Sequence, residues 1–557
     1  MLTRLDTRSR LLLTLAGLFI TALIVGDIIG GKLFAAGATT LSVGIIPFPI
    51  TFLLTDLLNE FYGKRTARVV TWIGFGMAVF AFTIITIAVV LPFSEVTRAA
   101  DWKGVTQPAF DAVFGGSQRI LIASMVAYLF AQFTDIHGAA KGKTIPLDHL
   151  GDLFAAGAGF AGPSIWGTAL PRHGVSSEYY GRGDALTLMP MPWAPEQARI
   201  VCDGFVAGAP FARYPRQLLR RQIARLAERG LTLNAGIEPE FFLLRRAADG
   251  TLLPFDADDV LEKPSYDVKS LARAQDIVLG IADALAACGL DVLQIDHEDA
   301  SGQYEINWRY AGALQAADEL MLFKVAAHAI AERHGAIFSM MPKPFADRPG
   351  SGLHLHLSLA DAAGGAPLAD PRDPRGQGLS ATGYAFLGGL LHHAPALAAL
   401  CAPTVNSYKR LVVGQSLSGT TWAPAFIAYG DNNRTALART VAGRLEWRLP
   451  DAAANPYVMI AAVIAAGLDG IDRGLDPGAA HDEDLYELDA QARIARGIRT
   501  LPQHLGEAVA ALRADAALCA ALGDDFCAEF VRLKESEWIE FSRAVHTWEL
   551  DRYATRF

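Results

Sequence analysis

Four short segments carry side chains that could act together. Ile237-Glu238-Pro239-Glu240-Phe241 places two carboxylates two residues apart, and Leu353-His354-Leu355-His356-Leu357-Ser358 puts two imidazoles and a hydroxyl on the alternate positions between leucines. Arg444-Leu445-Glu446-Trp447-Arg448-Leu449 alternates charge with apolar bulk in the same way. Period-two alternation is the mark of a half-buried strand, so each segment turns its functional groups to one face. The fourth, His297-Glu298-Asp299-Ala300-Ser301-Gly302-Gln303-Tyr304-Glu305, reads as a strand, a Ser-Gly turn and a return strand that aim Glu298 and Glu305 at one site. A Glu-x-Glu strand alone is more often a solvated face, and a His-x-His strand more often a surface or a satisfied polar pair. Their sum points to chemistry. Glu238, Glu240, Glu298, Glu305, Glu446 and His354 form an oxygen-rich set that suits Mg²⁺ or Mn²⁺ rather than zinc. Arg410, Arg434, Arg439, Arg444 and Arg448 would neutralise phosphates and a carboxylate. Hard cations beside arginines indicate phosphoryl transfer.

The elements that must position these groups belong to a chain too long for one hydrophobic core, at 557 residues. A formal charge of -9 argues against nucleic acid as a partner. Mean hydropathy is +0.25, high for a soluble enzyme, because two unlike parts are averaged. Long apolar runs fill the first 135 residues or so, and the rest has the mixed charge of a soluble domain. Cys202, Cys288, Cys401, Cys519 and Cys527 are widely spaced without a CxxC, which fits reduced structural thiols in cytosol.

The segments IEPEFFL, HEDASGQYEINW, MPKPFADRPGSGLHLHLSL, NSYKRLV, NNRTALAR, GRLEWRLPDAAANPY and WELDRYATRF occur in order. Together they resemble the glutamine synthetase family along nearly all of residues 136–557. The resemblance implies an α+β fold, with a β-grasp domain over 136–235 and a catalytic antiparallel half-barrel with helices over 236–557. It implies stacked homo-oligomeric rings whose active sites form between neighbouring subunits. It also implies ATP as co-substrate and two Mg²⁺ or Mn²⁺ per site. Glu240, Glu298 and Glu305 would hold the cation nearer glutamate, and Glu238, His354 and Glu446 the one nearer the ATP phosphates. His356 and Ser358 would touch the nucleotide, Arg439 and Arg444 its phosphates, and Tyr310 would lie near the adenine. Gly350, Arg410 and Arg448 would position glutamate, and Arg434 would stabilise the transferring phosphoryl group. The reaction implied is ligation of an amine to the γ-carboxyl of glutamate through γ-glutamyl phosphate.

The amine is read from departures. Where true glutamine synthetases carry Phe-Asp-Gly-Ser-Ser, this sequence has Phe160-Ala161-Gly162-Pro163-Ser164, and the loop from Val413 to Pro424 contains no acid. Ammonium needs acceptors on all sides, whereas an alkylamine needs an apolar wall, which Ala161 or Trp422 could supply. The pattern resembles the type III-like subgroup that includes γ-glutamylmethylamide synthetases, so methylamine is expected ahead of ammonium. Glu178 or Asp431 could instead restore the missing charge.

Residues 1–135 read as a transmembrane region with four apolar stretches: Leu11 to Val25, Ile45 to Leu58, Val69 to Phe93 and Ile120 to Phe133. Basic residues Arg4, Arg8 and Arg10 before the first, with Lys64, Arg65 and Arg68 after the second, put the N-terminus and the ligase part on the cytosolic side of the cytoplasmic membrane. Asp56, Asn59 and Glu60, ending the second stretch, are either functional groups at membrane depth or headgroup-level polar residues. Pro47 to Arg68, with Ala22 to Phe34 upstream, resembles the queuosine precursor transporter family, whose members typically have about six spans, so four imply a truncated transporter. Phe130 to Ile136 serves two readings, the end of the fourth span and the first strand of the ligase. With no linker between the halves, a fusion is expected, and the β-grasp domain is expected to lack its start. The alternative function is a transporter of queuosine precursor with an incidental or inactive ligase-like tail.

Overall fold

A computed structural model of the chain describes residues 7–29, 33–36, 39–42, 48–90, 128–413, 423–441 and 443–557. These fall into two compact units, one of Met1–Leu129 with Ala185–Pro190 and Pro195–Arg199, the other of Phe130–Asp184, Met191–Ala194 and Ile200–Phe557.

In the first unit α1 spans Thr7–Ile29, 23 residues, or about 35 Å at 1.5 Å per residue. Helix α2, Phe48–Val90, contains the described parts of the second and third apolar stretches on either side of Gly63, whose φ of 80° interrupts the helix. Leu15 and Phe19 of α1 pack with Leu54, Leu58, Ala67 and Val70 of α2. Asp56, Asn59 and Glu60 are exposed on α2.

The fourth apolar stretch is not a helix where it is described. Residues 120–127 lie outside the described residues, and Tyr128–Thr134 is a strand, β1. A short apolar run has the same composition in a membrane helix and a buried strand. Packing decides it: the Phe133 ring sits 4.9 Å from Phe160 and 5.0 Å from Tyr179, inside an aromatic core that includes Tyr214. Among the described residues one helix is long and apolar enough to cross a bilayer, Ala381–Cys401, and it is 83% buried as a core helix; Leu11–Val25 is a shorter apolar run.

β1 joins β2 (Ala140–Pro146), β3 (Ala158–Ala161), β4 (Glu178–Gly183) and β5 (Gln197–Val206) in a sheet of order β2-β1-β5-β4-β3. Helix α3, Pro215–Ala227, follows. Its Arg216 is buried and forks onto Asp318 at 3.0 and 2.8 Å, while also meeting Asp203 and Asp184 at 2.9 Å each.

The large sheet is built on β6, the 16-residue strand Leu231–Arg246. With β7 (Val292–His297), β8 (Gln303–Trp308), β9 (Leu353–Asp361), β10 (Tyr429–Asp431), β11 (Ala438–Val441) and β12 (Arg444–Trp447) it runs β7-β8-β6-β9-β12-β11-β10. Only β10 and β11 pair in parallel along that path. On β9 the leucines 353, 355, 357 and 359 are buried while His354, His356 and Ser358 alternate on the more open face. Behind the sheet lie α4 (Ala313–Arg333), α5 (Ala381–Cys401) and α6 (Pro456–Arg473). α5 and α6 approach at Gly389, where a Cβ would stand 2.1 Å from the Ala466 carbonyl oxygen, so a side chain there would push the helices apart. Asn455 caps α6 by accepting from the Tyr457 amide at 3.1 Å, and its Nδ2 donates to the carbonyls of Asp135 and Ile136. One residue thus starts the helix and fastens the loop after β1 to it.

Candidate active site

Strand register brings the functional side chains together. Antiparallel pairing of β6 with β9 sets Glu238 opposite His354, and pairing of β6 with β8 sets Glu240 opposite Glu305. β9 against β12 sets His356 opposite Glu446, and β11 against β12 sets Arg439 opposite the same glutamate. These groups line a cleft of about 580 Å³. Glu238, Glu240, Glu298, Glu305, His354, His356 and Glu446 line it, as do Gly350, Arg410, Arg434, Arg439, Arg444 and Arg448.

Of the fifteen expected positions, thirteen line this cleft and two do not. Ser358 is half-buried one alternation beyond His356 and is not among the lining residues. Tyr310 is 61% exposed outside the lining, beside Gly236, where an added Cβ would meet the Cβ atoms of Tyr310 at 3.4 Å and His356 at 3.5 Å.

The two imidazoles share Glu238. His356 Nε2 lies 2.9 Å from Glu238 Oε1, and His354 Nδ1 lies 3.7 Å from Glu238 Oε2 and 3.9 Å from Glu446 Oε1. Among the described residues, Glu238, His356 and Glu446 offer ligand atoms within 4.8 Å of one another, so His356 stands as close to the cation donors as His354 does. The alternation of β9 put both on one face and could not rank them.

Charge is distributed unevenly. Burial, then the neighbouring Glu240 and Asp299, pushes the Glu298 carboxyl up to about 8. Burial, with Glu240, Glu238 and Glu298 around it, pushes Glu305 well up too. Glu238 goes the other way: burial would raise it, but hydrogen bonds from His354 and His356 hold it far below the usual carboxylate range. Glu446, which burial alone would raise, is held down by His354, Arg448 and Arg439; Arg448 Nη1 lies 2.6 Å from its Oε1 and Arg439 Nη1 bonds its Oε2. The Glu240–Glu298–Glu305 side therefore carries crowded carboxylates, whereas the Glu446 side is matched by cations. That donor set fits a hard divalent ion, because oxygen ligands in a like-charged cluster are what such ions compensate.

Several lining residues were not singled out in the sequence: Ser265, Tyr266, Asp296, Gln303, Lys343 and Lys409. Asp296 and Gln303 stand two residues from Glu298 and Glu305, so the same alternation would have found them. Gln303 Nε2 donates to Glu240 Oε2 at 2.9 Å and to the Gly350 carbonyl at 3.2 Å. Tyr266 had no such signal; its φ of 64° is a left-handed conformation rare for a bulky residue.

Polar groups dominate the cleft, with Pro349, Val412, Ala423 and Val441 its apolar lining. Trp422 lies outside the described residues. Ala161 pairs across strands with Glu178, and both are exposed away from the cleft lining. Asp431 is exposed, is not in the lining, and its backbone N–H bonds Asp482 at 2.7 Å.

A family model for "Glutamine synthetase, catalytic domain" matches residues 212–553. A second, "Putative vitamin uptake transporter", matches residues 42–149, a range that runs on through β1 and β2. The chain is 49% identical to the "Glutamate--methylamine ligase" of Methyloversatilis universalis over 79% of this chain and 99% of that protein. It is 39% identical to a "Glutamine synthetase" of Rhizobium leguminosarum bv. phaseoli over 76% of this chain and 96% of the relative. Among solved structures it resembles "GmaS/ADP complex-Conformation 1" with a TM-score of 0.72 and 40% identity, covering 78% of this chain and 99% of that one. "Apo GmaS without ligand" gives a TM-score of 0.71 at 39% identity, with the same coverage.

Proposed function

This chain belongs to the glutamine synthetase family, and we propose that it uses ATP to join an alkylamine, methylamine first, to the γ-carboxyl of glutamate. The observation that carries the reading is the register that sets Glu240 against Glu305 and Glu238 against His354 in a cleft also lined by five arginines. Glu240, Glu298 and Glu305 would hold one Mg²⁺ or Mn²⁺, and Glu238, His354 and Glu446 a second, with His356 close enough to share it. When bound, the cations supply positive charge at phosphate oxygens.

The chain's own groups do the rest. Arg410 is buried, with its Nη atoms 3.3 Å from the carbonyls of Leu449 and Arg448, a fixed cation for the substrate carboxylate. Gly350 and Arg448 complete that position. Arg439 and Arg444 would face the phosphates; among the described residues the buried Arg439 Nε has no hydrogen-bond partner. Arg434, exposed at the cleft, would neutralise charge on the moving phosphoryl group. A free carboxylate is a poor acyl donor, so a γ-carboxylate oxygen first takes the γ-phosphoryl group of ATP, whose bond to the bridging oxygen breaks to release ADP. The neutral amine nitrogen then attacks the acyl carbon, the C–N bond forms, the C–O bond to phosphate breaks, and the nitrogen gives up one proton, which the departing phosphate carries away.

The choice of alkylamine rests on Val412 and Ala423 in the lining, and on Asp431 lying outside it. It is also supported by the likeness to a relative named for methylamine. Ring assembly, in which the exposed Ala161–Glu178 edge of one copy approaches the cleft of the next, is part of the same reading. The apolar faces of α1 and α2, with Leu13, Leu18, Phe52 and Phe61 more than half exposed, support a membrane-associated N-terminal region, and the basic residues beside its first two apolar stretches support a cytosolic ligase. The test is glutamate-dependent phosphate release with methylamine and with ammonium. A kcat/KM far higher for ammonium would replace the alkylamine with ammonia, and no release with either would favour the transporter reading with an inactive tail.

A further inference from the structure

His297 precedes Glu298 and points away from the cleft. It is fully buried, and both ring nitrogens face oxygen acceptors: Nδ1 the Glu298 carbonyl at 2.8 Å and Nε2 Asp259 Oδ2 at 2.8 Å. Asp259, itself buried, also accepts from the Gly302 amide at 2.5 Å through that same oxygen. The carboxylate therefore grips both ends of the turn that separates Glu298 from β8, where Glu305 sits. The loop that carries Asp259 returns to the cleft at Ser265 and Tyr266. Ser265 Oγ bonds Asp299 Oδ1, and the Tyr266 amide donates to the His297 carbonyl at 2.9 Å, across the left-handed backbone at Tyr266. Strained φ values persist where surrounding contacts over-determine them.

We propose that Asp259 and His297 are positioning residues that fix the Glu298 turn and the Ser265–Tyr266 loop as one unit. They thereby set the geometry of the Glu240–Glu298–Glu305 ion site while leaving the Glu238–Glu446 side untouched. Neither residue touches the cleft, so the effect passes through Glu298. Partners that orient a ligand typically change metal affinity 10–100-fold when removed. The inference rests on Glu298 being a ligand.

The test is Mn²⁺ titration of the full chain followed by electron paramagnetic resonance, with kcat and KM for ATP and for methylamine measured alongside. The variants are D259N, S265A and E298Q. D259N is expected to weaken one Mn²⁺ site about tenfold, keep the other, and leave KM for ATP within twofold. S265A, which removes only the part-buried bond from the same loop to Asp299, is expected to weaken the same site by less. Should D259N fail to fold, S265A decides alone. Unchanged Mn²⁺ binding in S265A and any folded D259N, while E298Q loses one site, overturns the positioning role only. Equal loss at both sites in a folded D259N overturns it too. Unchanged binding in E298Q would instead overturn the ligand assignment.

Discussion

Glu240 and Glu305 stand directly opposite one another in the antiparallel pairing of β6 and β8. Both are buried and face the same cleft. Like charges directly opposite on one face of a sheet destabilise it, so this pairing persists only with compensation. Gln303 supplies part of it by donating to Glu240, and Asn307 Nδ2 donates to Glu305 at 2.6 Å. A cation would supply the rest. In EDTA, E305Q should therefore be more stable than the parent by about 1 kcal/mol, while losing nearly all ligase activity. Thermal melts with and without Mn²⁺ check this, and the parent should gain far more from the ion than the variant.

The same crowding gives a pH dependence. A carboxyl raised in the folded state adds no penalty below its unfolded pKa, near 4.5, and a full penalty above its folded one. For Glu298 that upper limit is about 8, and Glu305 shifts in the same direction. Metal-free protein should lose stability as pH rises from about 4.5 to 8, and saturating Mg²⁺ should flatten the slope. Denaturant midpoints across that range, with and without Mg²⁺, are the measurement. An equal slope in both series would remove these carboxyls as its source.

What was legible in the sequence was what alternation encodes. Glu238-x-Glu240 and His354-x-His356 gave strand faces, and the Ser301-Gly302 turn gave the return from Glu298 to Glu305. Alternation says nothing about partners far along the chain. Asp259 lies 38 residues before His297 in a loop of ordinary polar composition, and nothing local marks it as buried. Alternation puts Ser358 on the face of His354 and His356, while its nucleotide role and that of Tyr310 come from resemblance alone; neither residue lines the cleft. At Tyr128–Thr134 the apolar run fitted helix and strand equally, and only the aromatic core around Phe133 distinguishes them.

Arg216 holds three carboxylates in the buried space between α3, β5 and α4. Tyr457 Oη donates to Asp318 Oδ1 at 2.7 Å, and Arg220 supports Asp184 at 2.7 Å. Removing one partner of a buried ion pair costs about 3–5 kcal/mol, because the other charges stay buried. R216A should therefore fail to accumulate as folded protein. R216K, which keeps the charge and loses the fork, should fold with a lowered Tm. If R216A melted within a degree or two of the parent, this cluster would be solvated rather than structural.

His393 on α5 is clamped by two aspartates, with Nε2 2.9 Å from Asp469 Oδ2 and Nδ1 2.5 Å from Asp515 Oδ2. Asp469 also meets Arg473 at 2.8 Å, and His392 lies beside the ring. Burial opposes the charged imidazole, but the hydrogen bonds it donates to both aspartates raise its pKa above the usual 6.5, and those bonds hold both aspartates below the usual carboxylate range. The histidine's contribution is therefore complete below about 6.5 and is lost as pH climbs through its higher folded value. The aspartates' contribution is lost only as pH falls through their depressed values. The clamp is strongest between those limits. H393N should lose about 3 kcal/mol at pH 6 and show a shallower decline above pH 6.5 than the parent. KM for ATP and methylamine should be unchanged, since His393 does not line the cleft. Urea unfolding at pH 6, 7.5 and 9 separates the outcomes. If the parent and variant curves run parallel above pH 6.5, the decline has another origin and the clamp is neutral at both ends.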